Sequence, residues 1–146
     1  MSQNKNTTHY ITRMKEADKI FFLKFLSALG KSDNNFDDNE KKFITDMSIM
    51  FGIPANKVEN IFTKTSPKEI IKEAGKIKDR LVALNIIKEG CFLANTDKDL
   101  SEKEVDFINE VGLAMKIEPE KIEQISQWVI DYLIWKEKEK IIFEQN

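Results

Sequence analysis

With 146 residues, 41% hydrophobic and 33% charged, the chain reads as one globular domain large enough to bury a core without staples. A net charge of −2 with no basic block disfavours nucleic-acid binding through phosphate neutralisation. The one cysteine, Cys91, excludes an intramolecular disulfide and a Cys-rich zinc site, and no apolar run reaches the ~18 residues of a membrane span.

Glycines (5) and prolines (3) are few, and apolar residues recur at helical spacing, so the expected class is all-α. Residues 1–12 form a polar leader with no apolar period, expected to be mobile; His9 lies in it and is given no role. No N-terminal run has the basic–apolar–small pattern of a signal peptide, so the expected address is cytoplasmic. The domain proper is expected over 13–146. Its first helix runs from about Met14 to Gly30. Phe21, Phe22, Leu23, Phe25, Leu26 and Leu29 cover more than one face, the mark of a central helix. An acidic loop follows. The next helix carries one stripe, Phe43, Ile44, Met47, Met50 and Phe51, and stops at Gly52. Pro54 opens a short helix with Val58 and Ile61 inward. Ser66-Pro67-Lys68-Glu69 reads as a capping box at another helix start.

From about Arg80 a second buried helix follows, with Leu81, Val82, Ile86, Ile87 and Leu93; Cys91 on it reads as a small buried hydrophobe. A second acidic loop precedes a helix over about Ser101–Met115, and Pro119 opens the next, with Ile122 and Ile125. Residues 127–143 are expected to form a separate last helix. Trp128 to Trp135 is dense in apolar residues, Lys136 to Lys140 alternates in charge, and Ile141, Ile142 and Phe143 return to apolar.

Two stretches of this chain are one pattern written twice, 64 residues apart. Asp33 matches Asp97, Phe36 matches Leu100, Glu40 matches Glu104, Phe43 matches Phe107 and Ile44 matches Ile108. The register continues upstream through Lys24/Lys88 and Leu29/Leu93, and downstream through Ile53/Ile117, Lys57/Lys121, Glu59/Glu123 and Ile61/Ile125. The pattern implies an internal duplication of a helix–acidic loop–helix–turn–helix unit, over about 20–63 and 84–127. A single bundle of about seven to eight helices with an approximate two-fold axis is expected, its two apolar helices crossing at the centre.

The two acidic loops are the candidate site. Asp33, Asp37 and Glu40 in the first, and Asp97, Asp99 and Glu104 in the second, present the oxygen ligands that Ca²⁺ or Mg²⁺ requires. They are not EF-hands, whose sixth and twelfth loop positions are Gly and Glu; here they are Asp38 and Ile44, Glu102 and Ile108. A competing reading uses the same residues as caps: Ser101-x-x-Glu104 is a capping box and Asp37-x-x-Glu40 its Asp-led form. There is no Ser/His/Asp or Cys/His set and no phosphate-cradling glycine loop, so a non-enzymatic role is expected, with a paired-carboxylate hydrolase as the alternative.

The duplicated motif, Asp33-x-x-Phe36-x-x-x-Glu40 then Phe51-Gly52-Ile53, and Asp97-x-x-Leu100-x-x-x-Glu104 then Lys116-Ile117, resembles the TerB-like domain family over about Phe21–Ile125. That family includes tellurite-resistance proteins and the N-terminal part of certain membrane-anchored DnaJ co-chaperones. The resemblance implies a helical bundle with pseudo-two-fold symmetry, an acidic surface for divalent metal and a setting in stress response. The family's usual Gly after the Asp is Asn34 and Lys98 here, which implies a differently shaped second loop. Protein partners are expected. Trp135, Ile142 and Phe143 are candidates for a docking or dimerisation handle, against a fold-back that completes the bundle.

Overall fold

The structure, a computed structural model, describes residues 10–31, 38–54, 56–58, 61, 66–95 and 101–144, with the backbone alone at 31, 39 and 40. The chain is an all-α bundle, and the described residues contain no strand. Its main helices are α1 (Glu16–Lys31), α2 (Asp38–Phe51), α3 (Pro67–Ala74), α4 (Arg80–Ala94), α5 (Glu102–Ala114) and α6 (Pro119–Phe143). Short helical pieces lie at 10–13 and 56–58.

The helix α1 is central because no side of it is polar enough to face water. Phe21, Phe22, Leu23, Phe25, Leu26, Ala28 and Leu29 are all buried, and α2, α3, α4 and α5 pack around them. Helix α4 is its counterpart, with Val82, Ile86, Ile87, Cys91 and Leu93 buried against α1, α5 and α6. The two approach closely at Gly90. A Cβ built there would lie 2.7 Å from Cε2 and Cζ of Phe25, whose ring is itself fully buried.

The turns that follow the two equivalent helices match in backbone conformation. Gly52 and Lys116, equivalent positions, have φ of 74° and 66°. Each ends its helix in a Schellman turn: Ile53 N–H donates to the Ser48 carbonyl and Ile117 N–H to the Gly112 carbonyl, both at 3.0 Å. Inside these, Gly52 N–H donates to Ile49 O at 3.0 Å and Lys116 N–H to Leu113 O at 2.9 Å. The next helix then opens alike, with Lys57 and Val58 donating to Pro54 O, and Lys121 and Ile122 donating to Glu118 O. Each half also pins the first residue of its central helix to that turn. Lys57 meets Glu16 at 2.9 Å and Arg80 meets Glu118 at 2.6 Å, with the charges reversed between halves.

Four expectations need correction. Tyr10 is only 2% exposed and stands on the Phe22 ring, with centroids 6.4 Å apart, so the chain joins the core before residue 13; residues 1–9, His9 among them, lie outside the described residues. Gly30 is inside α1, which runs on to Lys31. Ser66 precedes α3 with extended backbone but makes no side-chain cap bond, so the expected box with Glu69 does not close; Lys68 and Glu69 are exposed, and water can take their free N–H groups. The last two expected helices are one, α6, because neither Gly nor Pro stands between Ile125 and Gln127 to break it.

The close approach at Gly90 yields a paired test. Gly90→Ala should lower stability by about 1–3 kcal/mol through overpacking, despite alanine's better helix propensity. Gly75→Ala, with ordinary φ of −63° and no atom nearer its Cβ than Lys72 O at 3.8 Å, should raise it by about 0.4–1 kcal/mol. Urea unfolding of both variants beside the wild type checks the pair.

Candidate functional site

Of the acidic-loop candidates, Asp33, Asp37, Asp97 and Asp99 lie outside the described residues, and Glu40 is described only as backbone in the first turn of α2. Glu104 is placed fully. Its side chain is 2% exposed at the start of α5, and Oε1 accepts from Ser101 N–H at 3.1 Å and from the Ser101 hydroxyl at 3.2 Å. Ser101 Oγ in turn accepts from Glu104 N–H at 3.1 Å. That is a closed capping box, which satisfies two helix-end donors and commits a Glu104 oxygen to them. Among the described residues no three His, Cys, Asp or Glu side chains converge as a metal set.

The handle candidates stand clear of the bundle. The inward stripe of α6 is Ile122, Ile125, Val129 and Leu133, and Leu133 is the last of its residues packed on the core. From Ile134 onward every residue through Glu144 is exposed. Trp135 and Ile142 are each 63% exposed and Phe143 78%. The last ten residues of the helix thus project about 15 Å at 1.5 Å per residue. They do not fold back, because the positions that would continue the inward stripe are Lys136, Glu137 and Lys140.

The exposed surface extends further towards the bundle than Trp135, Ile142 and Phe143. Trp128, Tyr132, Trp135 and Ile142 share one outer stripe of α6, at spacings of four, three and seven, which was the available signal. Trp128 and Tyr132 stack, with centroids 5.9 Å apart at 17°. Phe92 of α4 meets both edge-on, at 6.1 and 5.6 Å, and Trp135 continues the row 6.4 Å from Tyr132. This packing orders the rings without covering them: Trp128 remains 54% exposed.

Two further features adjoin. A cleft of about 500 Å³ between α4, α5 and α6 is floored by Cys91, Ile108 and Ile122. Burial pushes the Cys91 thiol up to about 11, against a smaller opposing effect of a hydrogen bond with Ser126, so it is a poor nucleophile at neutral pH. On the opposite side of α4, Glu89 lies 3.5 Å from Lys88, whose ammonium sits 5.4 Å from the Tyr10 ring centroid. Burial raises the Glu89 carboxyl above its ordinary value, only partly offset by Lys88, and burial followed by the Glu89 charge raises the Tyr10 phenol.

In comparisons with known proteins, no family model matches the chain, and no curated protein or solved structure matches it. The fold is an all-α bundle with an aromatic stripe running out along a projecting helix.

A carboxyl with a raised folded-state pKa favours the fold while protonated, and that contribution is lost as pH rises through the folded pKa. Glu89→Gln should accordingly unfold at a higher temperature than wild type at pH 7. The difference should shrink as pH falls through the raised folded-state value and be closed below the ordinary carboxylate value of ~4.3, which thermal melts across pH 3–8 would read out.

Proposed function

We propose that this chain is a non-enzymatic, TerB-like protein-interaction module of a cytoplasmic stress-response assembly, with the projecting half of α6 as its docking element. The observation that carries the reading is the exposed apolar row from Trp128 to Phe143, set on a rigid helix and unused by the core. Contiguous exposed apolar surface of this kind marks a protein–protein contact. Trp and Tyr are also the side chains that most often dominate such contacts. The TerB-like assignment and its stress-response setting rest on the motifs quoted above; the in-register duplication of fold and turns is in keeping with them. No helix among the described residues is long and apolar enough to cross a membrane.

Trp135→Glu with Ile142→Glu should abolish partner capture while leaving stability unchanged, since neither side chain touches the core. Wild type and variant serve as bait in an extract of the native host, beside sedimentation of each protein alone to detect self-association. Wild type should retain a partner, or a second copy, that the variant loses. Identical captured sets and identical masses for the two would overturn the docking element.

Divalent-cation binding by the acidic loops belongs to the same reading. With Glu104 engaged as a cap, Asp33, Asp37 and Glu40 of the first loop are its stronger set, and Asp97 and Asp99 the weaker. Ca²⁺ or Mg²⁺ bound only to the folded state would add about 2.7 kcal/mol at a hundredfold excess over Kd. Melting temperature should rise with millimolar cation against EDTA, less in Glu40→Gln and fully in Glu104→Gln. A flat wild-type response would leave both loops as caps.

A further inference from the structure

The exposed aromatic row does not begin in open surface. Towards the start of α6 it runs into a groove of about 380 Å³ between α4 and α6. Leu84, Ile125 and Trp128 line it, with Lys88, Lys121 and the amides Asn85 and Gln124. The lining holds two cations and no carboxylate, in a chain whose net charge is −2. Of the acids beside it, Glu118 is bound to Arg80 at 2.6 Å, while Glu89 pairs with Lys88 at 3.5 Å and takes up that cation's charge. Lys121 is therefore the cation best placed to meet an incoming charge. From Lys121 to Trp135 the surface spans about 21 Å of helix at 1.5 Å per residue, cationic at one end and aromatic at the other.

We propose that this α4/α6 surface binds an amphipathic helix of a partner protein. That helix would place apolar side chains on Trp128, Tyr132 and Trp135 and an Asp or Glu at Lys121. The length and the open, shallow form fit a helix of about four turns rather than a small molecule. Apolar residues at i, i+3/i+4 and i+7 on the incoming helix would match the Trp128–Tyr132–Trp135 spacing. The charge complementarity selects an acidic partner: a basic end would be set against Lys121 at the mouth of a partly desolvated groove. The inference rests on the projecting half of α6 being the docking element, and adds to it the partner's chemistry and orientation.

A phage-displayed library of randomised 16-residue helical peptides, selected on the whole chain, tests it. The chain's two tryptophans, Trp128 and Trp135, both lie on this surface, so their emission reports binding of a synthesised hit directly. Enriched peptides should carry Asp or Glu at one end and large apolar residues at the other. They should shift the tryptophan emission and weaken as salt is raised. They should also bind Lys121→Glu at least tenfold more weakly, that variant keeping wild-type helicity because Lys121 lies outside the core. A selection that yields no peptide, peptides with no acidic excess, or peptides indifferent to Lys121→Glu would overturn the proposal. Those results, together with capture from host extract that still depends on Trp135 and Ile142, would leave the docking element standing and remove only the acidic-helix partner. Capture indifferent to Trp135 and Ile142 would remove the docking element itself.

Discussion

The packing of α1 against α4 is the contact on which the bundle depends. Each helix is apolar around most of its circumference, so neither can be satisfied by one neighbour. α1 takes cover from α2, α3 and α5 as well as α4, and α4 from α5 and α6 as well as α1. Each Phe, Leu or Ile buried in that arrangement contributes about 1.5–3 kcal/mol. The ion pairs at the helix starts, such as Glu16–Lys57 and Arg80–Glu118, are half-exposed and contribute about 0–1 kcal/mol apiece. They fix where helices begin; the apolar crossing decides that they assemble at all.

That crossing also shows why the duplication cannot be an exact two-fold. Phe25 reaches into the space that Gly90 leaves open, while Leu26, the counterpart of Gly90 in the first half, is itself a fully buried side chain. The turns tolerate similar divergence. Gly52 adopts its left-handed conformation without steric penalty, whereas Lys116 does so at a cost of roughly 1–2 kcal/mol. Two Schellman bonds and the burial of Ile117 hold the Lys116 turn in place.

The features legible from sequence were those set by one kind of physics at a time. In-register apolar and acidic matches exposed the duplication, Gly52 its left-handed turn, and Ser101 with Glu104 the cap. The less legible ones involved competition. Tyr10 and Ile11 are too few to show a period, yet Tyr10 is buried because the α1/α4 core offers it Phe22 and Lys88 to pack against. Ser66 has a capping residue's identity but makes no cap bond. The acidic loops pose the hardest case, since a carboxylate that caps a helix and one that ligates a cation have the same sequence signature. For Glu104 the hydrogen bonds resolve it in favour of the cap. For the tail, docking handle and fold-back stayed open in the sequence, since only the exposure of residues 134–144 shows that the core makes no use of their apolar side chains.

Helix α6 divides its labour along its length. An isolated ten-residue helix is marginal in water because its first turn is costly to nucleate. Residues 134–143 avoid that cost by continuing a helix whose earlier turns are fixed by Ile122 and Val129 in the core. The Lys136–Glu139 pair at 2.9 Å adds a small local contribution, and Lys136 lies 6.0 Å from the Trp135 ring centroid. The anchored half therefore supplies rigidity, and the projecting half presents large side chains with little further ordering entropy to lose on association. A flexible tail of the same composition would have to lose that entropy when it bound. The stacked row from Phe92 through Trp128 and Tyr132 to Trp135 extends the same logic to side chains, holding the rings nearly in place while leaving their outer faces open to a partner.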